Sequence, residues 1–90
     1  MPSERKYGEL VIDYLGDIKT IPYEMYIAGN SPCVMVKDKN GEKHRFIQSM
    51  GVWTVYFEDV MPKWRQDFKQ LLFTSFDLQF SINFPDHRGS

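Results

Sequence analysis

Residues 59–84 read DVMPKWRQDFKQLLFTSFDLQFSINF, and how that stretch divides decides the fold. Met61, Trp64, Phe68, Leu71 and Leu72 recur at three- and four-residue steps, while Lys63, Gln66, Asp67 and Gln70 fall elsewhere. That is the period of an amphipathic helix, expected over 59–74. Asp59 suits its N-cap or first turn, and Pro62 suits a first turn whose missing N–H would be unpaired anyway. Beyond Thr74-Ser75 the pattern changes. Phe76, Leu78, Phe80, Ile82 and Phe84 alternate with Asp77, Gln79, Ser81 and Asn83, which predicts a strand over 76–84 with one dry face and one wet face. Pro85 ends it.

Upstream, the chain reads as successive strands. Leu10, Ile12 and Tyr14 alternate with Val11, Asp13 and Leu15, giving a strand over 9–15. Gly16-Asp17 forms a tight hairpin loop into a second strand, 18–27, with Ile21, Tyr23, Met25 and Ile27 on one face. Pro22 lacks an N–H, so this strand is expected at an edge or broken there. After the Ala28–Pro32 loop, 33–37 is apolar on both faces. Asp38-Lys39-Asn40-Gly41 is the strongest turn signal, closing a hairpin onto 42–49. Gly51 then separates a fifth strand, 52–57, in which Trp53, Val55 and Phe57 share a face.

The expected fold is therefore α+β: a mostly antiparallel, strongly twisted five- to six-stranded sheet with one amphipathic helix on one face, in the order β-β-β-β-β-α-β. Residues 1–8 read as an N-terminal arm, 9–84 as one domain and 85–90 as a tail. A helix of that length, roughly 20 Å, shields about two strands spaced about 4.8 Å apart. Strands three and five, apolar on both faces, are expected to be central. A second subunit covering the rest of the sheet makes a homodimer the expected assembly.

Composition narrows the function. The chain carries 11 Lys and Arg against 12 Asp and Glu, a net charge of −1, which argues against a dedicated nucleic-acid or anionic-membrane binder. No stretch is apolar enough for a membrane span, and the start, Met1–Glu9, has no apolar signal core. One cysteine, Cys33, within an apolar run, suits a buried thiol in a reducing cytoplasm. His44 and His87 have no ligands at metal spacing, and His44 could act as a base only if folding supplied a carboxylate. The carboxylate pairs Asp13/Asp17 and Glu58/Asp59 suit a turn and a helix start. No glycine-rich phosphate loop and no nucleophile motif occurs, so neither a catalytic constellation nor a cofactor is expected.

What remains is a small non-enzymatic protein-binding or accessory domain, acting through aromatics of the sheet and helix. Trp53, Tyr56, Trp64 and Arg65 are the candidate contacts, because aromatics and Arg dominate binding hot spots. The competing reading places Trp53 in the core and packs Trp64 on the sheet. Two alternatives follow from other features. Lys37, Lys39, Lys43 and Arg45 around the 38–41 turn could touch nucleic-acid phosphates, although Asp38 and Glu42 dilute them. A sheet curled around an apolar cavity could hold a small apolar ligand, or make a minor enzyme.

Overall fold

The computed structural model describes residues 4–56 and 61–85. Five strands, β1 (Lys6–Tyr14), β2 (Asp17–Ala28), β3 (Ser31–Lys37), β4 (Lys43–Ser49) and β5 (Val52–Val55), precede one helix, α1 (Gln66–Asn83). The strands form a single antiparallel meander in the spatial order β1-β2-β3-β4-β5. The domain is α+β, as its pattern of elements requires.

Alternation sorts each strand's side chains onto two faces. Leu10 pairs with Ile21, Val34 with Phe46, and Gln48 with Trp53. Leu10, Ile12, Tyr23, Met25, Val34, Val36, Phe46 and Trp53 meet Leu72, Phe76 and Phe80 of α1 in one core. Removing each such aliphatic or aromatic side chain from water contributes about 1.5–3 kcal/mol.

The expected sixth strand does not form: residues 76–83 continue the helix. Leu72, Phe76 and Phe80 follow one another at four-residue steps, so a period-two pattern contains a helical stripe within it. Thr74 and Ser75 do not interrupt the helix, and Thr74 Oγ1 donates back to the Gln70 carbonyl over 2.8 Å. Leu78 and Ile82, assigned to the dry face of a strand, are 60% and 61% exposed on α1. The helix also starts later than expected. Met61–Arg65, including Pro62, are not helical, and Arg65 holds the N-cap position. The proposed roles of Asp59, Glu58 and Phe57, and that of His87 in the tail, fall outside the described residues.

The sheet differs from expectation at four further points. β2 lies between β1 and β3, not at an edge, but its β3 ladder starts at Tyr23, so Pro22 sits where the second neighbour has ended. β5 is an edge strand, not a central one. Lys6–Gly8, assigned to an arm, belong to β1. The first hairpin loop is Leu15-Gly16, with Tyr14 opposite Asp17 and both loop residues at positive φ (55° and 82°).

Contacts fix how the helix lies. Near its start, Phe68 meets Tyr14 edge-on at 5.4 Å. Near its end, Tyr23 donates its hydroxyl to Gln79 over 3.2 Å and accepts from Asn83 Nδ2 over 2.9 Å. Tyr23 pairs with Gly8, and a Cβ at Gly8 would come within 2.7 Å of the tyrosine oxygen; the glycine makes room for this ring. α1 thus runs antiparallel to β1, the strand its backbone approaches most closely. Its flank toward β5 carries Phe73, against Phe46, and Asp77, bonded to Trp53. At about 100° per residue, Leu71, Leu78 and Ile82 lie on the opposite flank, beyond β1.

The middle of the sheet's other face has its own cover, whereas Tyr7, Val11, Ile18 and Val52 on that face are exposed. Arg5 lies 4.4 Å from the Tyr26 ring centroid and pairs with Glu24 at 2.6 Å. Arg45 lies 4.8 Å from the Tyr56 ring centroid. Beneath this layer Cys33 is fully buried, and burial pushes its thiol pKa up, leaving it a poor nucleophile.

Candidate functional site

One end of the domain is built around a line of side chains in contact. It starts at the β3–β4 turn, where Asp38 Oδ1 accepts the backbone N–H groups of Asn40 (2.8 Å) and Glu42 (2.9 Å). Asp38 Oδ2 accepts from His44 Nε2 over 3.0 Å. The His44 ring meets Trp64 edge-on at 4.9 Å, and Trp64 meets Phe68 at 5.6 Å. Phe68 meets Tyr14, whose hydroxyl donates to Asp67 Oδ1 over 2.9 Å. Asp67 also accepts its neighbour's Phe68 N–H and the Arg65 Nε. A carboxylate in the first turn thereby replaces the missing N-cap side chain.

Charge follows from these contacts. The His44 hydrogen bond holds Asp38 below the usual carboxylate range, and the Tyr14 hydroxyl does the same for Asp67. Tyr14 is pushed up, first by burial and then by Asp67. Asp38, Glu42 and His44 place three potential metal donors within 4.8 Å of one another, a cluster that chain spacing did not suggest. Both Asp38 oxygens are already engaged by the turn and by His44, so the arrangement serves as a clasp on the turn. His44 thus has its carboxylate, but no serine or cysteine nucleophile joins them among the residues lining either side of Trp64.

Between this line and the β1–β2 end of the sheet lies an open groove of about 690 Å³. Ile21, Val36, Trp64, Phe68 and Leu72 give it an apolar floor, and Lys19, Lys37, Lys39, Lys63 and Arg65 surround it. Among the described residues, Asp38 is the one acidic residue lining it. Five of the chain's 11 Lys and Arg therefore gather at one site of a protein with net charge −1.

The residues singled out in the sequence are dispersed. Trp53 is a core residue, 6% exposed, with its indole N–H on Asp77. Tyr56 lies on the far face under Arg45. Trp64 is half-buried in the segment before α1, and exposed Arg65 follows it; these two share the groove. Of the hairpin cations, Lys37 and Lys39 line the groove, whereas Lys43 and Arg45 line a second hollow across Trp64. Lys19 and Lys63, far apart in the chain, were not anticipated. Comparison with protein-family models, with characterised proteins and with solved structures finds no match to this chain. No helix among the described residues is long and apolar enough to cross a membrane.

Proposed function

We propose that this is a non-enzymatic protein-binding domain of the reducing cytoplasm, whose groove takes an acidic peptide segment carrying an apolar or aromatic anchor. The observation that carries this reading is the segregation of charge: five cations, of which Lys19 and Arg65 are paired with Asp17 and Asp67, ring an apolar, aromatic floor on a chain that is otherwise acidic. The anchor would displace water from Ile21, Trp64 and Phe68, while carboxylates on either side meet the lysines. A nucleic acid needs a continuous track of cations for successive phosphates. Lys37 and Lys39 on one side of Trp64, and Lys43 and Arg45 on the other, do not provide one.

Selection from a peptide library, followed by titration of the chosen peptide against Trp64 fluorescence, tests the proposal. The expected sequences combine Asp or Glu with a large apolar residue, and Lys39→Glu with Lys63→Glu weakens them at least about tenfold. Selection of basic or uncharged peptides, or binding indifferent to both reversals, would overturn it. So would tight, steeply salt-dependent binding of a single-stranded oligonucleotide, which is the nucleic-acid reading. A small apolar compound that raises the melting temperature and is insensitive to both lysines would favour an apolar-ligand site instead.

A further inference from the structure

The two edges of the sheet differ. β5 is four residues long, a length that gives a stranger little to pair with. β1 runs for nine residues without proline or an interruption in its register, and among the described residues no strand pairs with its outer side. Along the same border α1 presents Leu71 (41% exposed), Leu78 and Ile82 (60% and 61%) to solvent. An open backbone edge and an apolar helix flank thus lie side by side.

We infer that a second copy of this chain pairs with β1 edge to edge, joining two five-stranded sheets across a two-fold axis at Leu10 while the two α1 helices touch along Leu71, Ser75, Leu78 and Ile82. The register follows from parity, charge and the length of strand paired. An axis perpendicular to the sheet keeps inner faces with inner faces, so it must pass through a residue. At Glu9 it would set Glu9 against itself; at Val11 it would set Glu9 against Asp13. At Leu10, the midpoint of β1, all nine residues pair: Glu9 faces Val11 of the second copy, Asp13 faces Tyr7, and Lys6 faces Tyr14. No like charges oppose.

The helix gives the same axis independently. Leu10 lies four strand residues from Tyr14, about 14 Å at about 3.4 Å per residue. Because α1 is antiparallel to β1 and Phe68 sits at Tyr14, that distance corresponds to about nine helical residues, reaching residue 77. Two antiparallel helices centred there bring Leu71 against Ile82 and Ser75 against Leu78. Both pairs are centred between Phe76 and Asp77. Edge strand and helix flank are therefore self-complementary about one line, as an isologous contact requires. This surface is separate from the groove and stands whether or not the groove reading does.

Light scattering of the full chain at micromolar and higher concentration should give twice 10.7 kDa. Leu78→Glu, at an exposed position, should leave the circular-dichroism spectrum intact and raise the dimer dissociation constant by roughly 100-fold or more. Ser75→Lys mixed with Leu78→Glu should restore a heterodimer, because the two positions face each other across the axis. Outward-facing β1 amides should exchange slowly in the dimer and speed up in Leu78→Glu. A monomer throughout the concentration range would overturn the inference. So would a dimer that Leu78→Glu and Ile82→Glu leave unchanged, or β1 exchange independent of concentration.

Discussion

The indole N–H of Trp53 donates to Asp77 Oδ1 over 2.8 Å, and Gln48 Nε2 reaches the same oxygen at 3.2 Å. These two bonds moor the short edge strand β5 and its neighbour β4 to the middle of α1. Trp53 has almost no access to water, so its N–H depends on that carboxylate. Asp77→Ala should destabilise the fold by about 1–3 kcal/mol, because a buried donor is left unpaired. Asp77→Asn, which keeps an acceptor, should lose less. Urea denaturation of the two variants checks the order.

Phe76 and Leu78 are two residues apart and would share a face in a strand; on α1 one is fully buried and the other 60% exposed. Phe76→Ala should cost about 3–5 kcal/mol, enough to unfold a domain of modest stability. Leu78→Ala, measured at a concentration low enough to keep the protein monomeric, should cost under about 0.5 kcal/mol. Equal effects would contradict a helix over this stretch.

Leu15 occupies the first of two positive-φ positions in the β1–β2 loop while 82% exposed. Its Cβ is strained there and its side chain gains little from packing. Leu15→Asn should therefore stabilise by about 1 kcal/mol, since Asn-Gly is the preferred pair for such a turn. A thermal melt showing a lower midpoint would refute this.

The Asp38 clasp should carry an acid-labile contribution. Its folded pKa is depressed, chiefly by the His44 hydrogen bond, so its stabilisation is complete above the ordinary aspartate range. It is lost as pH falls through the lowered folded value, below about pH 4. Melting midpoints measured from neutral pH downward should fall more gently in Asp38→Asn than in the native chain. The Asn40 and Glu42 amides, which lose their charged acceptor, should shift in the same window.

Cys33 should behave as an inert thiol. It is fully buried with a raised pKa, so alkylating reagents reach it only through opening of the sheet. Labelling should be slow in buffer and immediate in denaturant; rapid labelling of the native protein would show the Tyr26 face to be loosely covered.

The strands were legible because alternation holds along them: Leu10, Ile12, Tyr23 and Met25 point inward as their spacing requires, although the first loop is Leu15-Gly16 instead of Gly16-Asp17 and the second, Gly29-Asn30, is shorter than the expected Ala28–Pro32. The second half of α1 was not. Phe76 and Phe80 satisfy a period of two and a period of four together, and exposed Leu78 and Ile82 completed a false strand. The missing clue was the lack of a breaker between Phe73 and Phe76, since Thr and Ser are tolerated within a helix. The groove was legible only in Trp64, Arg65, Lys37 and Lys39. Lys19 and Lys63 join it from opposite ends of the chain, and adjacent residues such as His44 and Arg45 point to opposite faces. The Asp38–His44 bond did leave a trace: an aspartate opening the 38–41 turn curls the chain back, bringing residue 44 within reach.

Among the described residues α1 comes after β1 to β5, and its partners, such as Tyr14 for Asp67 and Tyr23 for Asn83, were made more than fifty residues earlier. During synthesis, at about 5–20 residues per second, the hairpins can zip up as they emerge. Their greasy side then waits several seconds for its roof. A nascent chain of this design passes through a sticky interval that only completion of α1 brings to a close.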